Sequence, residues 1–113
     1  MRIMGFSKHW SKLEQPTFTT FRFKRRDADW EIGEEVLVVF KPRRKGGGEK
    51  LGVALIINKE FVRVKNITED EAIKDGFNNF FEMWLFLKKP DGYKPMNKLT
   101  LRWTQRWLYM DKK

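Results

Sequence analysis

The N-terminal part of the chain carries apolar residues at helical spacing. Phe6, Trp10 and Leu13 recur at i, i+4 and i+7, which predicts one apolar stripe of a short helix with Ser7 as its N-cap. Pro16 biases the residue before it toward extended geometry, so we expect the helix to end there.

Five later segments have patterns typical of β-strands. β-Branched and aromatic residues fill 17–23, and the continuous apolar run 36–40 predicts a strand buried on both faces. Two further strands are predicted over 51–57 and 61–67, and 98–109 predicts a long closing strand. Most of the regular structure is therefore expected to be β.

Two short helices are predicted between the last two strands. The first begins with a capping box, because Thr68 can accept from the amide three residues later and Glu71 can reach back to Thr68. Gly76 ends this helix, and a second helix is predicted over 78–88.

This order of elements favours an α+β, mostly-β fold. We expect a partly closed β-barrel with an N-terminal helix and two short helices inserted before the last strand. Residues 1–113 are expected to form a single domain, with 43–50 as a flexible basic loop. The predicted core comprises Phe21, Phe23, Val36, Val38, Leu55, Val62 or Val64, Phe80, Phe81, Trp84, Leu99 and Leu101.

Composition excludes several kinds of site. The chain of 113 residues has no Cys and one His, which removes disulfides, thiolate metal sites and a cysteine nucleophile, and disfavours histidine triads. No metal or cofactor is expected.

The charge points to an anionic partner. Twenty-four basic and fifteen acidic residues give a net charge of +9, and nucleic acid is the commonest partner of such a domain. The alternative is a solvated, highly charged surface of the kind found in thermophile proteins. The longest apolar run, 83–87, is too short to span a membrane, and the N-terminus lacks the apolar region of a signal peptide. We therefore expect a cytoplasmic monomer without membrane association.

The predicted strand 17–23 places candidate binding groups together. Thr20 and Arg22 are two residues apart and share one face of the strand. On the closing strand, Trp103 and Trp107 are either core residues or half-exposed platforms on which bases stack.

These segments together resemble the ASCH family of PUA-like β-barrels over nearly the whole chain. The resemblance rests on Trp10-x-x-Leu13, Gln15-Pro16-Thr17-Phe18-Thr19-Thr20-Phe21-Arg22, Trp30-x-Ile32-Gly33-Glu34-Glu35-Val36, Leu51-Gly52-x-Ala54-x-Ile56 and Ile67-Thr68-x-x-Glu71-Ala72-x-x-Asp75-Gly76-Phe77. The family looks like a set of RNA-interacting proteins, some of whose small members are similar to amidohydrolases or ribonucleases.

The resemblance also implies candidate site residues. The family pattern G-x-K-x-x-E-x-R falls on Gln15, Thr17, Thr20 and Arg22, where the arginine alone is the pattern's own residue and Thr17 replaces the lysine. Amidohydrolase-like members use a lysine, a threonine and a glutamate. Thr20 keeps the threonine, and Glu71 or Glu69 are the candidates for the glutamate, but without the lysine the hydroxyl lacks an evident base.

Three functions remain open. The leading hypothesis is a non-catalytic RNA-binding module with a cleft around Thr20 and Arg22. Its other candidate RNA-binding residues are Thr17, Lys24, Arg25, Arg26, Arg43, Arg44, Lys45 and Lys8. The second hypothesis is a small hydrolase (an amidohydrolase or ribonuclease) that acts on a modified nucleoside or RNA in the same cleft. The third is a regulatory protein that binds a small molecule or nucleotide there. One observation bears on all three: whether Thr20, Arg22 and an acidic side chain of 68–75 line one pocket.

Overall fold

A computed structural model describes residues 1–6, 10–25, 27–42, 46–87 and 95–107. Over these residues the chain forms strands, two short 3-10 helices and two α-helices. In chain order they are β1 (Arg2–Phe6), a 3-10 helix (Ser11–Glu14), β2 (Thr17–Phe23), β3 (Glu35–Phe40), β4 (Glu49–Arg63), a 3-10 helix (Val64–Asn66), α1 (Glu69–Asp75), α2 (Phe80–Phe86) and β5 (Pro95–Arg106).

The strands form one curled sheet, a half-barrel in the order β1-β3-β4-β5-β2. β1 runs parallel to β3, and the other pairs are antiparallel. The prediction of a mostly-β, partly closed sheet with two helices before the last strand is confirmed at this level. β1 and β2 are the two edge strands, and the segment that connects them carries the first 3-10 helix.

The core lies inside the curl of the sheet. Val36, Val38 and Val39 are all buried, as predicted for a strand covered on both faces. On the closing strand, Leu99 and Leu101 are fully buried. Among the predicted core residues Phe81 is wrong, since its side chain is 66% exposed on the outer side of α2.

The predicted N-terminal helix is wrong. Phe6 ends a strand, whose residues Arg2 to Phe6 pair with Val36 to Phe40 of β3. All three apolar side chains of the predicted stripe are nevertheless buried. Phe6 ends β1, Trp10 precedes the 3-10 helix and Leu13 lies within it. Pairing with a neighbouring strand thus overrides a local helical pattern. Ser7 lies outside the described residues.

β4 is one 15-residue strand that takes in the predicted strand 51–57 and the first three residues of the predicted strand 61–67. The rest of the second prediction is wrong, since Val64–Asn66 form a 3-10 helix. The polar residues between the two predicted strands do not form a turn. The register with β5 instead shifts between Ile56 and Asn58, where an irregularity absorbs the break. β4 also begins at Glu49, so the last two residues of the predicted loop 43–50 are strand.

The capping box of α1 is confirmed. The Thr68 hydroxyl accepts from the Glu71 amide, and the Glu71 carboxylate accepts from the Thr68 amide. Gly76 ends the helix at φ 116°, and a Cβ there would lie 2.6 Å from the Trp10 ring. A larger residue would therefore be strained and would displace that ring. α2 is capped by Asn79, and β5 begins three residues before the predicted start.

Candidate functional site: a cavity between the two edge strands

The gap between the edge strands is bridged by a side chain. Arg22 of β2 donates from Nη2 to the carbonyl of Gly5 in β1, at 2.7 Å, and its guanidinium lies 4.6 Å from the centroid of the Phe6 ring. No backbone pairing joins β1 to β2 among the described residues. The open side of the half-barrel is thus closed in part by a cation that stacks on an aromatic ring.

A cavity of about 310 Å³ lies at this gap. Among the described residues, four polar side chains line it: Lys12, Thr20, Arg22 and Asp75. The test posed by the sequence has a clear result, because Thr20, Arg22 and one acidic side chain of 68–75 do line one pocket. The volume is at the small end of the range for ligand sites.

Lys12 reaches the cavity from the first 3-10 helix. Its flanking residues Trp10 and Leu13 are buried in the core, which fixes the backbone of this short segment. The Lys12 side chain is itself buried. Its ammonium donates to the Thr19 carbonyl at 2.7 Å and to Asp75 Oδ1 at 2.8 Å. The lysine thereby links β2 to the end of α1.

Asp75 is the last residue of α1 and is 5% exposed. Its Oδ1 accepts from the ammonium of Lys12 at 2.8 Å. Gly76 follows immediately and turns the chain with its left-handed conformation. The helix end thus directs a carboxylate into the cavity.

Burial acts on all three charged groups. It lowers the pKa of Lys12 and raises the pKa of Asp75, and the ion pair between them opposes both shifts. Burial also lowers the pKa of Arg22 to about 10, against the attraction of Asp75. With all three ionised, the cavity holds one positive charge in excess of its carboxylate.

Aromatic rings form the rest of the wall. The rings of Trp10, Phe77 and Phe86 contact one another edge-to-face, with centroids 4.9 to 5.7 Å apart. Phe86 is 46% exposed, so this part of the wall borders solvent. The site therefore combines aromatic rings with charged groups, and Lys12 Nζ lies 5.7 Å from the centroid of the Trp10 ring.

The other sequence candidates lie elsewhere or are not described. Thr17 and Lys24 are exposed and do not line the cavity. Arg25 pairs with Asp27 at 3.0 Å and lies over the Trp30 ring. Lys8, Arg26, Arg43, Arg44 and Lys45 lie outside the described residues.

The two candidate glutamates are not brought to Thr20. Glu71 belongs to the capping box and accepts from Lys98 Nζ at 2.6 Å. Glu69 accepts from the backbone amide of Phe80. The carboxylate in the cavity is Asp75.

Sequence reasoning missed the roles of Lys12 and Asp75. Lys12 is inconspicuous because it is a single lysine between Ser11 and Leu13, off the apolar stripe of the predicted helix. Asp75 did carry a signal, since a carboxylate in the last turn of a helix opposes the negative end of the helix dipole. An acidic residue just before a C-terminal glycine therefore indicates a local cation, here Lys12.

The contacts of Thr20 bear on catalysis. Its Oγ1 accepts from Arg22 Nε at 3.2 Å. Lys12 hydrogen-bonds to Thr19 and Asp75, and among the described residues it has no hydrogen bond to Thr20. A nucleophile needs a base within hydrogen-bond reach. This arrangement holds the hydroxyl as an acceptor, and in the part of the chain that the structure describes no base contacts it.

The two tryptophans of β5 differ. Trp103 is partly buried, donates to the Leu13 carbonyl at 3.0 Å and packs against Phe18. These contacts give Trp103 a structural role. Trp107 is 40% exposed.

Searches for other kinds of site gave negative results over the described ranges. No group of three or more His, Cys, Asp or Glu is placed to hold a metal ion there. None of the described helices has the length and apolar character to cross a membrane. The comparisons with family models, curated proteins and solved structures returned no match for this chain.

Proposed function

We propose that this chain is a non-catalytic RNA-binding module that holds an unpaired base in the cavity between β1 and β2. One observation carries the proposal: the polar side chains of Thr20, Arg22, Lys12 and Asp75 line one cavity together with several aromatic rings. Unpaired bases are recognised in this way, by stacking on rings and by hydrogen bonds to the base edge. The resemblance to ASCH proteins supports the same reading.

The aromatic rings suit the flat body of a base. Stacking on an aromatic ring contributes roughly 1–3 kcal/mol per base and tolerates different sequences. Phe86 borders both solvent and the cavity, so a base can enter beside it while its sugar and phosphate stay outside. The polar side chains then contact the base edge.

Charge outside the cavity supports binding of the RNA backbone. The chain has a net charge of +9, and the exposed Lys24 follows directly after β2, which carries Thr20 and Arg22. Cations near the mouth attract phosphates irrespective of sequence.

The test is a salt titration of binding to single-stranded and structured RNA. We expect single-stranded RNA to bind more tightly than a duplex, because the cavity needs an unpaired base. We also expect affinity to fall with salt, by about 0.7 log units per log unit of salt for each phosphate contact. Binding of both RNAs weaker than ~0.1 mM at near-physiological salt would be non-specific and would overturn the proposal. The cavity would then be that of a small-ligand regulatory protein.

A hydrolase in the same cavity is the second candidate, and Lys12 is the observation that favours it. Position 17 lacks a lysine, but Lys12 brings an ammonium and Asp75 a carboxylate to the cavity that Thr20 lines. We nevertheless expect no turnover of acylated cytidine, since Lys12 contacts Thr19 and Asp75 rather than the Thr20 hydroxyl. Robust turnover that is abolished in Thr20→Ala and Lys12→Met would establish the hydrolase instead.

A further inference from the structure

The lining of the cavity carries more positive than negative charge. Lys12 and Asp75 form an ion pair 2.8 Å apart, and each side chain is 7% exposed. Their charges cancel, while Arg22 adds a cation that stays protonated at neutral pH. Over the described part of the chain, no second carboxylate lines the cavity. A ligand therefore enters a site with one uncompensated positive charge.

The Arg22 guanidinium also has donors left for a ligand. Its Nε donates to the Thr20 hydroxyl at 3.2 Å, and its Nη2 donates to the Gly5 carbonyl at 2.7 Å. A guanidinium has five N–H groups, and among the described residues Nη1 has no acceptor. The uncompensated charge thus comes with hydrogen atoms that a negative group can accept.

Two aromatic rings of the lining already interact with cations of the protein itself. The Arg22 guanidinium lies 4.6 Å from the centroid of the Phe6 ring. Lys12 Nζ lies 5.6 Å from the same centroid and 5.7 Å from the centroid of the Trp10 ring. An aromatic cage for a cationic ligand must offer its ring faces to that ligand. Here the protein's cations are next to those rings and would repel a second cation.

We infer that the cavity selects its base by charge: it rejects bases that methylation has made cationic, and it binds a base with a carboxylate substituent more tightly than a neutral one. This inference rests on the proposed function, because it assumes that a base occupies the cavity. Like charges that are brought together repel strongly, whereas a carboxylate forms charge-assisted hydrogen bonds with a guanidinium. The selection follows from the summed charge of the lining rather than from a pattern of hydrogen bonds.

Matched nucleosides separate the effect of charge from the effect of shape. The nucleoside 3-methylcytidine is a cation at neutral pH, whereas 3-methyluridine has its methyl group at the same ring position and is neutral. A second neutral reference is 5-methylcytidine, which has the same base with the methyl group moved. The anion is 5-carboxymethyluridine, and its methyl ester is the neutral reference. Each charged ligand thus has a neutral counterpart of similar size.

The first experiment measures binding of these five nucleosides to the unmodified protein by calorimetry. Tryptophan fluorescence is a second readout, because Trp10 lines the cavity. We expect 3-methylcytidine to bind at least about tenfold more weakly than either neutral reference. We expect 5-carboxymethyluridine to bind at least about tenfold more tightly than its ester. Equal or tighter binding of 3-methylcytidine than of 3-methyluridine would overturn the inference.

Salt separates the cavity from the rest of the protein's charge. The chain has a net charge of +9, which attracts any anion to its surface. At about 1 M salt the interactions of exposed charges are largely screened, but those of buried charges are screened much less. We therefore expect both differences in affinity to persist at about 1 M salt. Their loss would show that surface charge causes them and would overturn the inference.

Variants of Arg22 test the source of the selection. Arg22→Gln removes the uncompensated charge and leaves the Lys12–Asp75 pair in place, so we expect both differences to fall to near unity. Arg22→Lys keeps a positive charge at this position and should keep the order of affinities, which a purely structural role of the arginine does not predict. The matched control is Arg63→Gln, at an exposed residue of β4 outside the cavity lining, and it should behave as the unmodified protein does.

The outcomes separate this inference from the proposed function. Equal binding of all five nucleosides, with RNA bound, would overturn the charge inference and leave the RNA-binding module standing. The expected order of nucleosides without binding of any RNA would support charge selection and overturn the RNA-binding module. Binding of RNA but of no nucleoside would overturn the inference, and binding of neither would overturn both. Should Arg22→Gln fail to fold, the comparison of 3-methylcytidine with 3-methyluridine still decides the inference.

Discussion

The variant Lys12→Met tests how much the fold depends on the buried ion pair at the cavity. The Lys12 and Asp75 side chains are each 7% exposed and 2.8 Å apart, so removing the ammonium leaves a buried carboxylate that has lost its cation. Breaking such a pair from one side costs about 3–5 kcal/mol, a large part of the stability of an ordinary domain. Methionine keeps most of the lysine's length, which limits the contribution of a cavity to this loss.

The stability lost in Lys12→Met should depend on pH, and the titration of Asp75 sets the direction of that dependence. Burial already raises the pKa of this carboxyl, and in the variant the opposing influence of Lys12 is gone, so the pKa rises further. A pKa above the unfolded value means that the folded state binds the proton more tightly than the unfolded state does. The contribution of Asp75 to the free energy of unfolding is then greatest below the ordinary carboxyl pKa of about 3.9 and is lost as pH rises through the folded value. The cost of Lys12→Met relative to the wild type should therefore shrink as pH is lowered from 7 toward 4.

Urea unfolding of four proteins provides the measurement: the wild type, Lys12→Met, Asp75→Asn and the double variant. Because the double variant removes both charges, we expect its cost to be at least about 1 kcal/mol below the sum of the single costs. Its cost should also lack the decrease at low pH. Additive costs, or a Lys12→Met cost that is the same at pH 7 and pH 4, would refute the reasoning.

Three further changes test the fold and the proposed RNA site. Leu101→Ala should cost about 2–5 kcal/mol in denaturant unfolding, since this fully buried side chain of β5 leaves a cavity when truncated, and a neutral result would contradict its placement. Arg22→Ala should reduce discrimination between RNAs, by on the order of 1–3 kcal/mol, and Arg22→Lys should restore little because a point charge cannot replace the planar guanidinium. Replacing Arg43, Arg44 and Lys45 together by alanine should weaken all RNAs alike and flatten the salt dependence, and a sequence-selective loss would show that these residues contact bases.

Local patterns predicted those elements that local interactions determine. The capping box of Thr68 and Glu71 is a contact within one helical turn, and the strand 17–23 follows from its residue types, so both were found at their bounds. β1 was not found, because its stability comes from parallel pairing with a strand more than 30 residues later. A pairing of this kind leaves no trace in the spacing of Phe6, Trp10 and Leu13.

The same distinction between local and long-range contacts explains why the sequence indicated two of the polar residues at the cavity and missed two. Thr20 and Arg22 lie on one strand face, which a period of two reveals. Lys12 and Asp75 meet across 63 positions of sequence, and this contact depends on how the 3-10 helix and α1 pack over β2. Glu69 and Glu71 lie outside the cavity lining, and their carboxylates accept from backbone amides at the helix starts.

The open gap of the half-barrel also has a bearing on solubility. Edge strands expose backbone groups that can pair with another chain, and natural sheets block them with charged side chains that point inward. Here Lys12 donates to the Thr19 carbonyl of β2, while Arg22 donates to the Gly5 carbonyl of β1. Each cation of the cavity thus occupies a carbonyl that an incoming strand would need. The two cations that line the cavity thus also protect both edge strands against edge-to-edge pairing.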